Sequence, residues 1–132
     1  MFEYHGWVSL RATAEAVDDE RALRLGEIEA VIEEVAGYAL MDLRAMNGDY
    51  FIHMGGRPNR RGGHGDQLID AFHRIGRLAP GSYGLLYVHD EGDPIHADGF
   101  RVYRMARGVV TEQADTLLSP VVPTLEDPEP GR

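Results

Sequence analysis

The chain of 132 residues contains no cysteine and no lysine, so all thirteen of its basic residues are arginine. Without cysteine there are no disulfides, thiolate nucleophiles or cysteine-ligated zinc sites. Without lysine, Schiff-base chemistry and Walker-type phosphate loops are excluded as well. Apolar runs are only a few residues long, far short of the roughly 20 residues that a membrane span needs. No secretory signal is visible at the start, so we expect a cytoplasmic protein.

The composition is that of one globular domain. Hydrophobic residues make up 43% of the chain and charged residues 27%, which separates it from disordered sequences. We expect one domain over residues 1–123, followed by an acidic, proline-rich tail over residues 124–132. The formal net charge of −9 disfavours nucleic acid as a partner and favours basic proteins, although simple solubility explains the same charge.

The first part of the chain predicts a strand followed by a long helix. Apolar and polar residues alternate over residues 2–12, which indicates a half-buried strand. The acidic residues 18–20 suit the N-terminus of a helix. Over residues 25–43 apolar residues recur at steps of three and four, the pattern of an amphipathic helix. Asn47-Gly48 is suited to end that helix.

The rest of the chain predicts a second helix among four further strands. Residues 50–54 form a short strand, and residues 55–65 form a loop rich in Gly and Arg. The apolar spacing over residues 68–79 indicates an amphipathic helix stopped by Pro80-Gly81. Three strands follow, over residues 82–90, 100–107 and 109–113. The order β-α-β-α-β-β-β predicts a two-layer α+β domain, with a mostly antiparallel sheet of about five strands and two helices on one face.

Alternation within the strands assigns side chains to the two faces of this sheet. The face covered by helices is expected to hold Tyr4, Val8, Leu10, Tyr50, Ile52, Leu86, Val88, Phe100 and Val102. The opposite face then collects His5, Trp7, His53, Tyr87, His89, Arg101, Tyr103 and Arg107. Aromatic and Arg side chains on an uncovered sheet are typical of protein-binding surfaces. The alternative is that these side chains are shielded by the tail or by the Gly/Arg-rich loop, and a shift of one residue in register would reverse every assignment.

No set of residues in the sequence indicates catalysis or a metal. The three serines lack the context of a hydrolase nucleophile, and the histidines lack the close spacing of metal ligands. We therefore expect a protein that is not an enzyme and uses no cofactor. The alternative is a small ligand-binding domain or enzyme that holds a phosphorylated ligand in the loop at residues 55–65. Arg57, Arg60 and Arg61 precede a helix N-terminus there, although Asp66 lies where the anion would bind.

Four segments resemble a known protein family. They are FEYHGW at residues 2–7, PGSYGLLY at 80–87, FRVY at 100–103 with Arg107-Gly108, and AD at 114–115 with LSP at 118–120 and VPT at 122–124. Together they resemble the seventh immunity-protein family of bacterial polymorphic toxin systems, which is an α+β family distinct from the helical colicin immunity proteins. The resemblance covers nearly the whole chain.

The resemblance implies an immunity protein that is made beside a secreted toxin, binds the toxin domain and protects the producing cell. The resemblance implies no catalytic residues. Of the matched residues, Trp7 is the first that we expect to matter, either for the fold or for the interface. Residues 119–123 are expected to pack against the sheet. The expected toxin contacts are His5, Trp7, Tyr87, Asp90, Glu91, Asp93, Arg101 and Tyr103. Whether the protein is a monomer or a dimer stays open.

Overall fold

The structure is a computed structural model that describes residues 1–15, 22–37 and 39–130. Within these ranges the chain forms six strands and three helices. The strands are β1 (Phe2–Leu10), β2 (Leu40–Met46), β3 (Asp49–Gly56), β4 (Tyr83–Asp90), β5 (Phe100–Ala106) and β6 (Val109–Ala114). The helices are α1 (Leu25–Val35), α2 (Gly62–Leu78) and α3 (Val121–Thr124). Asp18, Asp19 and Glu20, which were expected to begin a helix, lie outside the described residues.

The strands form one antiparallel sheet in the order β2-β3-β1-β4-β5-β6. The first strand therefore lies in the interior of the sheet, flanked by β3 and β4. A two-residue turn joins β2 to β3. In contrast, β3 and β4 run parallel to each other on either side of β1, so they need the longer crossover that α2 provides. This architecture confirms the two-layer α+β class, with six strands where about five were expected.

Both long helices pack on the same face of the sheet. The core joins Ile28 and Ile32 of α1 and Leu68 and Phe72 of α2 to apolar residues of the strands. Those strand residues are Phe2, Tyr4, Val8, Leu10, Ile52, Met54, Leu86, Val88, Tyr103 and Met105. The face assignments made from alternation in β1, β3 and β4 are therefore confirmed. Each fully buried side chain of this size contributes about 1.5–3 kcal/mol to folding.

The prediction of one helix from residue 25 to Asn47-Gly48 is wrong in its second half. α1 ends at Val35, and residues 40–46 form the edge strand β2, paired with β3. Leu43 packs against the core from this strand and Ala39 from the residue before it, so their steps of four residues from Val35 imitate a continuing helix. Asn47 and Gly48 have φ values of +52° and +87°, which is the backbone of a tight hairpin turn.

Gly48 supplies the positive φ that this turn requires. We expect Gly48→Ala to lower the free energy of unfolding by about 1 kcal/mol, since an L-residue pays that cost in the left-handed region. The space around Gly48 is open, so the cost is conformational rather than steric. Urea unfolding measures it. Asn47→Gly is the matched control, and it should cost less than about 0.5 kcal/mol because glycine fits the same turn; equal losses would contradict the assignment.

α2 begins earlier than its apolar spacing predicts. Its first residue is Gly62, so the connection from β3 spans only residues 57–61 and the second half of the Gly-rich stretch is helical. Phe2 N donates to Pro58 O at 3.1 Å, which ties this connection to the start of β1.

The chain after β6 folds back onto the start of β5 as a segment called here the strap (residues 115–125). Val121 N donates to Asp98 O, and Val122 N donates to Asp98 Oδ1, each at 2.8 Å. Ser119 Oγ accepts a hydrogen bond from Phe100 N at 2.9 Å. Val121 is buried. These contacts agree with the expectation that residues 119–123 pack on the sheet.

Asp115 fixes the first turn of the strap. Its Oδ1 accepts from Leu117 N at 2.9 Å. Its Oδ2 accepts from Leu118 N at 2.9 Å and from the Ser119 hydroxyl at 2.8 Å. Burial opposes ionisation, but these hydrogen bonds outweigh it and hold the pKa of Asp115 below its ordinary value. The ionised carboxylate therefore stabilises the folded state.

We expect Asp115→Ala to lower the free energy of unfolding by roughly 1–2 kcal/mol at pH 7, because three donors lose their acceptor. The folded-state pKa is lowered, so this contribution is fully present above the unfolded pKa of about 4 and is lost as the pH falls through the folded value. Urea unfolding at pH 7 and pH 3 measures it. Asp127→Ala, beyond the strap, is the control. A difference that stays constant with pH would contradict an ionised Asp115.

Candidate functional site

Strand register defines the face of the sheet that points away from α1 and α2, called here the open face. Paired residues of neighbouring strands point to the same face, so Trp7 lies between His53 and Leu85, and His5 lies between Gly55 and Tyr87. The open-face residues are Glu3, His5, Trp7 and Ser9 on β1; Leu40, Asp42, Arg44 and Met46 on β2; Asp49, Phe51, His53 and Gly55 on β3; Tyr83, Leu85, Tyr87 and His89 on β4; Phe100, Val102, Arg104 and Ala106 on β5; and Val109, Thr111 and Gln113 on β6.

Trp7 and Tyr83 form an exposed aromatic pair on this face. Trp7 is 38% exposed and Tyr83 is 45% exposed. Their ring centroids are 5.9 Å apart and the rings meet edge to face at 88°, an arrangement that the ring quadrupoles favour. β1 is paired on both sides, so Trp7 is presented by a strand whose backbone is held in place. Such support on a rigid element is what a binding anchor needs.

Exposed apolar side chains concentrate on the open face. Of the nine large ones among the described residues, five lie there: Trp7, Leu40, Met46, Tyr83 and Val109. The other four lie in the β4–β5 loop or in the strap: Ile95, Leu117, Leu118 and Leu125. The outer surfaces of α1 and α2 hold none of the nine. Apolar surface gathered on one side of a protein indicates an interaction site.

One end of the open face is covered. Phe100, Val102 and Val121 are buried, yet they lie outside the main core cluster. His89 is buried with them, its ring centroid 5.2 Å from that of Phe100 and its Nε2 2.8 Å from Ala97 O. The strap and the β4–β5 loop therefore shield this end, while the Trp7 end stays exposed.

The register of β5 is opposite to the prediction. Val88 pairs with Arg101 and Leu86 pairs with Tyr103. Arg101 and Tyr103 therefore point to the side of the helices, and their expected place on the open face is wrong. Phe100 and Val102, expected on the helix face, occupy the open face instead. Both faces of β5 therefore carry buried apolar side chains, Phe100 and Val102 on one and Tyr103 and Met105 on the other, and alternation does not distinguish them.

The three residues that were expected on the open face of β5 and its turn lie elsewhere in the structure. Arg101 Nε donates to Glu112 Oε1 at 3.2 Å. Tyr103 lies beside His73, with ring centroids 6.2 Å apart, and its burial raises the pKa of its hydroxyl. Arg107 lies in the β5–β6 turn with a φ of +51°. None of these three residues belongs to the surface around Trp7.

The three expected carboxylates lie at the opposite end of the sheet from Trp7. Asp90 pairs with Phe2, five residues from Trp7 and thus about 17 Å along β1. Asp90 Oδ1 accepts from Gly92 N at 2.9 Å, and Glu91 contacts the amino terminus at 3.3 Å. Hydrogen bonds from Ile95 N and His96 N hold the pKa of Asp93 below its ordinary value. These carboxylates shape a turn, and the structure does not bring them to His5, Trp7 and Tyr87.

The loop of the ligand-binding alternative has two of its arginines engaged inside the protein. Arg57 Nε lies 2.7 Å from Met1 Sδ, and Arg61 Nε donates to Asp66 Oδ1 at 2.7 Å. Asp66 therefore already pairs with the Arg61 guanidinium, which a bound phosphate would need. Among the described residues, no group of three or more His, Asp and Glu side chains is placed to hold a metal ion. The described helices include none that is long and apolar enough to cross a membrane.

Comparison with known proteins adds the family. The sequence model of a family described as Immunity protein 7 matches residues 1–127, nearly the whole chain. The chain belongs to this family. The resemblance drawn from the four motifs is thereby confirmed, and the protein is an immunity protein of a toxin system. No curated protein matches the chain, and no solved structure does.

Membership in the Immunity protein 7 family says nothing of the contact surface, so that surface is argued from the geometry of the sheet. Of the expected toxin contacts, His5, Trp7 and Tyr87 share the open face. Tyr83, the ring partner of Trp7, was not among the expected contacts. A signal for it was available, because Tyr83 has the same parity along β4 as Tyr87 and therefore points to the same face.

Proposed function

We propose that this immunity protein neutralises a cognate secreted toxin domain by binding it through the open face, with Trp7 as the central anchor. The observation that carries the proposal is the gathering of large exposed apolar side chains on that face, while the described residues of α1 and α2 expose none of them. Tyr83 supports the Trp7 ring from the side. His5 and Tyr87 border the pair on β1 and β4.

The proposed action is binding without catalysis or a cofactor, in the cytoplasm of the producing cell. Trp and Tyr bury a large area and have few rotatable bonds, so each yields much contact for little loss of side-chain entropy. The toxin loses activity because the surface it needs is occupied.

Co-expression tests the function directly. The chain is produced together with the C-terminal domain of the large secreted protein encoded beside it, and cell survival and co-purification are scored. We expect survival and a stable complex. A second toxin of known activity, from an unrelated system, is the control and should still kill. Death of the cells and no complex, with a toxin shown to be active, would contradict the proposal for that pair.

A further inference from the structure

The charge of this protein is distributed unevenly between its two sides. The open face carries three carboxylates among the described residues, those of Glu3, Asp42 and Asp49, and two guanidinium groups, those of Arg44 and Arg104. Its formal charge is thus −1, against −9 for the whole chain. The carboxylate of Asp42 also pairs with one of these guanidinium groups, its Oδ2 lying 2.8 Å from Arg44 Nε. The open face is therefore close to neutral.

Behind the sheet, α1 presents an acidic surface. α1 exposes four glutamates, Glu27, Glu29, Glu33 and Glu34, and contains no basic residue. Arg24 and Arg74 pair with two of them from outside the helix. The acidic surface of α1 and the aromatic surface around Trp7 thus face opposite directions across the sheet. A partner cannot bind closely to both.

We infer that the toxin surface bound by the open face is flat, largely uncharged and able to accept aromatic side chains, rather than a basic substrate groove. The inference rests on the proposed function and names the chemistry of its partner. An inhibitor that fills a cationic groove must place carboxylates at the contact, because charge complementarity is what such a groove offers. Here the exposed apolar side chains and the exposed carboxylates of α1 are on different sides, and only the former suit a neutral contact.

Two glycines allow the charge of each side to be changed without disturbing the packing. A Cβ at Gly55 on the open face would meet its nearest atom, Tyr4 O, at 3.6 Å, and a Cβ at Gly26 on α1 would meet nothing within 4 Å. Gly55 pairs with His5, which is the residue next to Trp7 on the same face of β1. Gly55→Glu therefore adds one carboxylate to the open face, and Gly26→Glu adds one to the acidic surface of α1.

The test measures the dissociation constant of each variant for the same toxin domain, with melting temperatures as the check on folding. We expect Gly55→Glu to weaken binding at least tenfold and Gly26→Glu to change it by less than twofold. Gly55→Arg should weaken binding to within about threefold of Gly55→Glu, because a neutral surface does not discriminate the sign of the added charge. For the unmodified protein, raising the salt from 50 to 500 mM should change the dissociation constant by less than about threefold, since screening acts on charged contacts.

Several outcomes would overturn the inference and leave the function standing. In the first, Gly26→Glu raises the affinity for the toxin domain while Gly55→Glu leaves it unchanged. In the second, Gly55→Arg binds the toxin domain much more weakly than Gly55→Glu. In the third, the unmodified protein loses more than tenfold in affinity at high salt. Each would point to a basic groove that receives α1. If the free protein is a dimer that Gly55→Glu dissociates, a second copy of the chain occupies the face and the inference is also overturned. Absence of any complex with the unmodified protein would contradict the proposed function itself.

Discussion

Trp7→Ala should abolish protection while leaving the domain folded. The side chain is 38% exposed, and its aromatic contact with Tyr83 is worth only about 0.5–1.5 kcal/mol. The buried part of the ring adds a hydrophobic contribution of about 1–2 kcal/mol, so the free energy of unfolding should fall by about 2–3 kcal/mol in total, a loss that leaves the domain folded. Affinity for the toxin domain should fall at least 100-fold, roughly 3 kcal/mol, as expected for a central tryptophan anchor. Calorimetric titration of the purified proteins measures the affinity, and survival on co-expression measures the protection.

Ile95→Ala is the matched control for this substitution. Ile95 is 80% exposed and lies in the loop after β4, off the open face, so its removal should change affinity by less than about twofold. Trp7→Phe should keep part of the affinity, since an aromatic ring remains. A Trp7→Ala protein that unfolds near the growth temperature, but still binds the toxin when folded, would show that Trp7 serves the fold and that the contact surface lies elsewhere.

Five of the six strands are predicted from the sequence, because each shows alternation or is an apolar run bounded by turn residues. β1 alternates between apolar and polar residues, and β4 is a β-rich run bounded by turn residues; both lie in the interior of the sheet, where pairing on both sides fixes their register. β2 is not predicted, because this edge strand of half-buried residues follows α1 after a short break, and Ala39 and Leu43 continue the helical spacing by coincidence. The hairpin signal in Asn47-Gly48 was present, but the same pair also ends helices.

The candidate site was predictable only in part, for a reason that lies in the strap. Trp7 and His5 follow from the parity of β1 alone. Arg101 and Tyr103 could not be placed, because Phe100 and Val102 look like core residues but are buried on the face away from the helices, where the strap contacts Phe100. No local pattern in β5 encodes that long-range contact, so the alternation supports both registers equally.

Gly84→Ala should destabilise the protein by roughly 3 kcal/mol, the upper range for overpacking. Gly84 of β4 pairs with Val8 of β1. A Cβ there would overlap the carbonyl oxygen of Trp7 and lie 2.9 Å from the Cα of Val8. Both obstacles are backbone atoms of the interior strand, so no side-chain rotation relieves them. Conformational entropy alone predicts the opposite sign, a gain of about 0.5–1 kcal/mol when alanine replaces a strand glycine.

Gly55→Ala provides the matched comparison, because Gly55 lies in β3 on the other side of β1 and a Cβ there makes only ordinary contacts, the nearest at 3.6 Å. Entropy should therefore prevail at Gly55 and leave stability unchanged or slightly raised. Urea unfolding should therefore show a large loss of stability for Gly84→Ala and no loss for Gly55→Ala. Since the clash at Gly84 is with the backbone of Trp7, the Gly84→Ala protein should also bind the toxin more weakly at temperatures where it is still folded. Equal stability of the two variants would show that β1 and β4 lie farther apart than the structure places them, and that the position of Trp7 does not depend on a glycine beside it.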